Sequence, residues 1–355
     1  MDVLSEALAS MRTGSPSSVR TDGRAPWGMR LPEVLGAGFH VVLHGTCWIV
    51  PSEQSAEAIA LGPGDVIFLR DGAGHILADH PSTPAEVPGP EHYTALPPVG
   101  AVTIGGDGPL TSLLCGNYHL DGARPHPLLR QLPEFIHLPA QHGRRPELTA
   151  AVQLLGAELD NPRMGSHGIV PALIDSLLLY ILRAWIEEQP ESESVGWAAA
   201  LRDPAVAPAL SAMHEDPSAA WTVQSLADRA GLSRAAFAKR FAAMVGEPPL
   251  AYLTRWRLTT AARLLREDDI PVSQVASRTG YGSEFAFGKA FKREYGLAPG
   301  QYRRQARTVA VGPAGAQGFS SGAVGDDLGY SRSWAEERAA DGIDPRIVVP
   351  GRVLA

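Results

Sequence analysis

An internal duplication in the second half of the chain most constrains how it can fold. The segment SLADRAGLSRAAFAKRFAAMVGEPPLAYL (225–253) returns about fifty residues later as SQVASRTGYGSEFAFGKAFKREYGLAPGQYR (273–303). With one inserted residue, the apolar residues, glycines, prolines and lysines of the two copies stay in step, as Pro249 does with Pro299. The two copies therefore predict two similar structural units.

Each copy predicts two short helices joined by a tight turn. A small inward residue, Ala227 or Ala276, allows the helices to cross closely. A glycine, Gly231 or Gly280, supplies the positive φ of the turn, and a serine then caps the second helix. The capping serines are Ser233 and Ser283.

The second helix of each copy has an apolar face and an outward face. Its phenylalanines are spaced four residues apart and face the core; they are Phe237, Phe241, Phe287 and Phe291. Basic residues interleaved with small ones on the outward face suit entry into a major groove. A generic helical hairpin with a solvated surface has the same pattern, but two copies in register favour DNA.

Charge distribution agrees with a nucleic-acid-binding module. Residues 205–305 hold 14 Lys or Arg against 9 Asp or Glu, a net charge of +5. The chain as a whole has a net charge of −7, so the remainder carries −12. A basic module joined to an acidic one is typical of a DNA-binding domain attached to a non-binding domain.

Changes in periodicity and in proline and glycine content divide the rest of the chain. Residues up to about 139 predict an all-β unit, and residues 146–188 predict helices with apolar residues at three-to-four spacing. The proposed divisions are 1–190 for a first domain, 191–203 for a linker, 204–305 for the duplicated domain and 306–355 for a disordered tail. The apolar run 173–186 is shorter than a membrane span needs, and the N-terminus lacks the pattern of a signal peptide.

Residues 204–304 resemble the DNA-binding domain of the AraC/XylS family of bacterial transcription regulators. The motifs are TVQSLADRAGLSRAAFAKRF, PLAYLTRWRLTTAARLL and VSQVASRTGYGSEFAFGKAFKREYGLAPGQYR. The resemblance implies seven helices, with two helix-turn-helix units on one linker helix. The amphipathic pattern between the two copies covers roughly 17 residues, which gives that helix a length of about 25 Å. The residues expected at the DNA are Arg234, Ala235, Ala238, Lys239, Arg240, Ser283, Glu284, Phe285, Gly288, Lys289, Lys292 and Arg293.

The first domain resembles a cupin β-barrel of the kind found ahead of AraC-type domains. LGPGDVIFLRDGAGHILADH is similar to the second cupin motif and places His75 at the start of an inward-facing strand. The first motif is degenerate, because His40 and His44 do not form a His-x-His pair and no Glu follows. The sequence therefore predicts no metal and no cofactor.

Cys47 and Cys115 are the two cysteines of the chain, and both fall in predicted strands. If those strands are neighbours, the two thiols could form a reversible disulfide and act as a redox switch. The alternative is that both are simply buried in the core, as free cysteines usually are. His40, Cys47, His75 and Cys115 are the candidates for effector or redox sensing.

These observations predict a multidomain α and β protein: an N-terminal cupin-like barrel with flanking helices, and a C-terminal all-α double helix-turn-helix domain. The expected function is a cytoplasmic, sequence-specific transcription activator, not an enzyme, controlled by its barrel. Its expected partners are double-stranded promoter DNA, RNA polymerase, an unknown small-molecule or redox effector and a second copy of the chain, without a membrane. Two alternatives stay open: a cupin-type metal-dependent enzyme fused to a DNA-binding module, and a constitutive DNA-binding protein whose barrel only dimerises.

Overall fold

A two-sheet β-barrel precedes a set of helices in the chain. The computed structural model describes residues 2–33, 36–51, 57–87, 101–118, 120, 126–140, 145–190 and 196–311. Within these ranges lie twelve helices, which we number α1–α12, and ten strands, which we number β1–β10.

The barrel follows a short N-terminal helix, α1 (Val3–Met11). Its strands are β1 (Ser17–Arg24), β2 (Gly28–Leu31), β3 (Ala37–His44), β4 (Cys47–Pro51), β5 (Ile59–Leu61), β6 (Val66–Leu69), β7 (His75–Ala78), β8 (Ala101–Gly105), β9 (Leu110–Tyr118) and β10 (Phe135–Leu138). A six-stranded sheet has the order β10-β6-β3-β9-β1-β8, and a four-stranded sheet has the order β2-β7-β4-β5. A turn at Gly64, with φ +89°, leads into β6.

The two sheets face each other across an apolar interior. The larger sheet contributes Val42, Ile67 and Leu113 to this barrel core, and the smaller sheet contributes Ile49 and Leu77. Because side chains alternate along a strand, the neighbouring residues of the larger sheet point to its other side. There Phe39, Val41, Val66, Phe68 and Leu114 pack in a second core with helices.

Three helices complete the first domain: α2 (Pro127–Gln131), α3 (Pro146–Asp160) and α4 (Ser166–Glu188). The predicted helical pattern of 146–188 is confirmed, and Ile174, Leu177 and Ile181 are buried. By length and composition α4 is able to cross a membrane, with a mean hydropathy of 1.8 in an 18-residue window of which 44% is buried in the protein. Core helices of soluble proteins pass the same test, so the pattern alone does not indicate a membrane.

The C-terminal part is entirely helical. Its helices are α5 (Trp197–Arg202), α6 (Val206–Glu215), α7 (Val223–Arg229), α8 (Arg234–Val245), α9 (Pro249–Glu267), α10 (Val272–Arg278), α11 (Glu284–Tyr295) and α12 (Pro299–Val311). The seven helices α6–α12 match the number that the family resemblance implied. The linker helix α9 has 19 residues and therefore spans about 28 Å.

Several sequence-based divisions differ from the structure. Helices α1 and α2 lie in the region expected to be all-β. The second half of the expected linker forms α5, whose Trp197 is buried because it packs beside His126 and Tyr252. Residues 306–311 of the expected disordered tail belong to α12, whereas 312–355 and 191–195 lie outside the described residues.

The two halves of the C-terminal domain belong to different cores. Phe237, Phe241 and Leu253 of the first half share one continuous core with α1–α4 and the larger sheet. Phe287 and Phe291 of the second half belong to a separate core with Leu258 and Leu265 of α9. The first half is thus packed as part of the barrel domain, and α9 joins it to the second.

Candidate functional site

Helices α7 and α8 form the first helix-turn-helix unit. The turn residue Gly231 has φ +66°, and the amide of Leu232 donates to the carbonyl of Ala227 at 3.0 Å, which closes the turn. The Ser233 hydroxyl accepts a hydrogen bond from the Ala236 amide and caps α8. Phe237 is fully buried, so the predicted core face of α8 is confirmed.

Helices α10 and α11 repeat this geometry with one extra turn residue. Gly280 has φ +78°, and the Tyr281 amide donates to the Ala276 carbonyl at 2.9 Å. Ser283 caps α11 by accepting from the Ala286 amide. The positive φ is the reason for glycine at position 280; a Cβ there would also lie within 3.0 Å of the Arg257 guanidinium, which would have to shift.

Both second helices present their remaining face to solvent. In α8 the residues Arg234, Ala235 and Lys239 are exposed and Ala238 is half-buried. In α11 the residues Glu284, Phe285 and Lys289 are exposed and Gly288 is half-buried. The cap Ser283 and the basic residues Lys292 and Arg293 are exposed as well. Each helix therefore offers donors, acceptors and small residues on one surface, as major-groove readout requires.

Arg240 differs from the other predicted DNA contacts. Its guanidinium donates to the carboxylate of Asp203 through Nε at 3.0 Å and through Nη2. Asp203 is buried and also accepts from the amides of Ala205 and Val206 at the start of α6. Burial raises the pKa of Asp203, but the hydrogen bonds from Arg240 and the two amides outweigh it and lower the pKa below its ordinary value. Phosphate would have to compete with this carboxylate for Arg240.

The barrel interior brings two of the effector candidates together. The Nε2 atoms of His40 on β3 and His75 on β7 lie 2.8 Å apart, so this pair joins the two sheets. His75 Nδ1 lies 2.8 Å from the Ala73 carbonyl and must donate to it, so its Nε2 accepts from His40. This assignment holds for neutral imidazoles, and burial favours the neutral form by lowering the pKa of each; His75 lowers the pKa of His40 further. Within the part of the chain that the structure describes, His40 Nδ1 is buried without a hydrogen-bond partner.

The two cysteines line the same interior from opposite sheets. Cys47 lies on β4, which pairs with β5 and β7, whereas Cys115 lies on β9 opposite His40 of β3. Their strands are therefore not neighbours, contrary to the sequence-based idea, because each belongs to a different sheet. Both thiols are free and buried, and burial raises the pKa of each to about 12. A thiol of this kind is a poor nucleophile at neutral pH.

The described residues contain no group of three or more His, Cys, Asp or Glu side chains that could hold a metal ion. His40 and His75 supply two imidazoles, but no carboxylate completes the set within those ranges. His44, the other residue of the first motif, lies exposed at the end of β3.

Comparison with known proteins decides the family. A cupin family model matches residues 2–187, and a helix-turn-helix domain model matches residues 226–305. A putative AraC-like transcription regulator from Streptomyces lividans is 36% identical over 304 residues, which cover 86% of this chain and 98% of the relative. The chain belongs to the AraC family of transcription regulators. It is a DNA-binding protein with an N-terminal cupin domain, so both resemblances seen in the sequence are confirmed.

Two further similarities are informative about its relatives. The RCS-specific HTH-type transcriptional activator RclR from Escherichia coli (strain K12) is 34% identical over 258 residues, covering 72% of this chain and 81% of that protein. The crystal structure of the DNA-binding domain of AdpA in complex with a target DNA is 34% identical and covers 30% of this chain and 96% of that domain, with a TM-score of 0.29.

Sequence reasoning missed the contact between the cupin domain and helices α6 and α9 of this AraC-family protein. The Tyr252 hydroxyl of α9 lies between two buried histidines, bonded to His214 of α6 and 3.4 Å from Nε2 of His126 at the start of α2. His214 also stacks on Trp256, with ring centroids 3.8 Å apart. Tyr252 and Trp256 are spaced four residues apart on one helix, but no local pattern in the sequence pairs them or His214 with His126.

Helix α1 makes a second contact with the linker helix. Arg266 of α9 donates to the backbone carbonyls of Ser10 at 3.1 Å and Arg12 at 3.2 Å, and to the Tyr302 hydroxyl at 2.8 Å. Arg263, one turn earlier, lies 3.7 Å from the buried carboxylate of Glu6. Asp2 as N-cap and apolar residues at Val3, Ala7 and Met11 were the available signal for α1.

Proposed function

We propose that this AraC-family protein activates transcription at promoters to which α8 and α11 bind through successive major grooves. The observation that carries this proposal is the pair of capped recognition helices with exposed, donor-bearing faces on a single helix, α9. A linker of about 28 Å, with the widths of the two units added, is compatible with grooves one helical turn apart. A relative is named as a transcriptional activator, which supports activation here and contact with RNA polymerase.

The cupin domain is the proposed sensor. Its interior holds a polar pair, His40 and His75, in otherwise apolar surroundings, and His40 Nδ1 is an acceptor that a bound molecule could satisfy. The proposed effector is therefore a small molecule with at least one hydrogen-bond donor. The raised pKa of both buried thiols favours this effector over oxidation of Cys47 and Cys115.

The signal is proposed to pass from the barrel to the first helix-turn-helix unit by packing. That unit shares its core with α2–α4, and the linker helix α9 contacts α2 through Tyr252 and α1 through Arg266. An effector changes DNA binding only if it binds two arrangements of these elements with different affinity.

A second copy of the chain is the proposed partner of the α3–α4 hairpin. This hairpin exposes the large apolar residues Leu154, Met164 and Ile169, and exposed apolar surface of this kind often marks an interface. A dimer presents four helix-turn-helix units, and a rotation between the barrels changes how many reach the DNA at once. We further propose that the protein works in the cytoplasm, without a catalytic activity, a metal or another cofactor.

Genomic footprinting of the full chain, followed by transcription from the protected promoters with purified RNA polymerase, tests the proposal. We expect a small set of protected sites and more transcript when the protein is added. Protected sites with less transcript would instead identify a repressor. Absence of specific protection would contradict DNA recognition by α8 and α11. Footprints that stay the same under all growth conditions would favour a constitutive protein whose barrel only dimerises.

A further inference from the structure

The second recognition helix carries an aromatic residue that nothing in the described chain covers. Phe285, the second residue of α11, exposes 83% of its surface, whereas Phe287 and Phe291 of the same helix are completely buried. Leaving a phenyl ring in water is unfavourable relative to burying it. The ring therefore contributes nothing to the packing of the unit, and its contribution is expected in a complex.

Gly288, one turn after Phe285, is a second residue that internal packing does not explain. A Cβ built at this position would meet no atom within 4 Å. Glycine within a helix is less favourable than alanine, and the equivalent residue of α8 is Ala238. The protein thus has room for a side chain at 288 and lacks one, which leaves the helix surface beside Phe285 open to close approach from outside.

The charges around this surface indicate which part of DNA it meets. Lys289 and Lys292 are exposed on the same side of α11 and are suited to phosphates. Glu284, exposed in the first turn, would be repelled by phosphates but accepts hydrogen bonds from the exocyclic amine of cytosine or adenine. The first turn of α11 therefore suits base edges, and the apolar group that base edges offer in the major groove is the C5-methyl of thymine.

We propose that Phe285 selects a thymine in the half-site of α11 by packing on its C5-methyl group, and that Gly288 lets the helix come close enough for this contact. Arg234, Ala235 and Ala238 of α8 are equivalent to Glu284, Phe285 and Gly288 of α11. The first unit therefore reads its half-site by different chemistry. The inference rests on the proposed function, because it requires α11 to enter a major groove.

Thymine and uracil differ only by that methyl group, so deoxyuridine is the probe. The optimal site of the full chain is first selected from random duplexes, and each thymine of the α11 half-site is then replaced in turn by deoxyuridine. We expect one replacement to weaken binding about three- to fivefold, the scale of burying one methyl group. With Phe285→Ala, the thymine and deoxyuridine duplexes should bind equally.

Two further variants separate this contact from a general loss of affinity. Lys292→Ala should weaken binding to both duplexes by the same factor and keep their ratio. Gly288→Ala should raise the melting temperature, because alanine favours a helix, and at the same time weaken DNA binding.

The outcomes distinguish the inference from the proposed function. If no duplex is selected, specific DNA recognition itself fails. If a site is selected but no thymine responds to deoxyuridine, or Phe285→Ala keeps the wild-type ratio, methyl recognition by Phe285 is overturned. If Gly288→Ala leaves affinity unchanged, the role given to Gly288 is overturned.

Discussion

Arg240 on the first recognition helix is hydrogen-bonded to the buried carboxylate of Asp203, with 3.0 Å between Nε and Oδ2. Asp203 also caps α6 through the amides of Ala205 and Val206, so one side chain ties the start of α6 to α8. The orientation of α8 therefore depends on a residue outside the helix-turn-helix unit. This residue lies where the sequence indicated only a linker.

Replacing Asp203 with alanine should destabilise the protein by about 1–2 kcal/mol, because the cap of α6 is lost. Asp203→Asn is the matched control, since an amide oxygen still accepts from both backbone amides but lacks the charge that holds Arg240. Urea denaturation measures the difference. An equal decrease in the free energy of unfolding in both variants would indicate that the ion pair, and not the cap, stabilises this junction.

If Lys239 or Lys289 reads a base, replacing it with alanine should weaken binding to the preferred site by about 1–3 kcal/mol and relax the sequence preference at one base pair. If the lysine contacts phosphate instead, all sequences should be affected alike, and the slope of log affinity against log salt should fall by about 1. Fluorescence anisotropy at several salt concentrations distinguishes the two cases. Arg30→Ala, on the exposed surface of β2, is the control and should bind as the wild type does.

Removing the contact between α1 and α9 should uncouple the barrel from DNA binding. In Arg266→Ala the carbonyls of Ser10 and Arg12 lose their donor, and we expect reporter transcription to respond less to the inducing condition. Arg30→Ala, on the exposed surface of β2, is the control for loss of an arginine. A wild-type induction ratio in Arg266→Ala would show that the signal does not pass through α1.

Acid should destabilise the protein well above the range in which carboxylates titrate. Burial lowers the pKa of His214 from 6.5 to about 3 and the pKa of His126 well below its ordinary value. Between pH 6.5 and 3 the unfolded chain binds protons that the folded chain excludes, so stability falls as pH falls. Each such histidine contributes a slope of about 1.4 kcal/mol per pH unit.

Thermal unfolding from pH 7.5 to 5 measures this slope. His214→Gln should reduce this slope by the contribution of one histidine, about 1.4 kcal/mol per pH unit. An unchanged slope in His214→Gln would mean that His214 titrates alike in both states.

Neither cysteine should react quickly in the folded protein. Cys47 and Cys115 are buried with a pKa of about 12 each, so a thiol reagent at pH 7.5 should label them only after unfolding by urea. Rapid labelling of either thiol in native buffer would reopen the redox interpretation. Cys47→Ala and Cys115→Ala should each retain the transcriptional response.

The family and the local geometry of both helix-turn-helix units were determined by the sequence alone. Gly231 and Gly280 adopt the positive φ that their position indicated, Ser233 and Ser283 cap the recognition helices, and the paired phenylalanines are buried. These features depend on residues within a few positions of one another, which is why periodicity and turn chemistry predict them. The DNA contacts themselves stay a prediction.

Only the tertiary structure decided which distant residues meet. His40 and His75 face each other from two sheets, Cys47 and Cys115 lie on strands that do not pair, and Tyr252 reaches His126 across more than a hundred residues of sequence. No local pattern encodes such pairings, because strand order and helix packing depend on the whole arrangement of apolar faces. For the same reason Asp203, which appeared to be a linker residue, became the buried partner of Arg240.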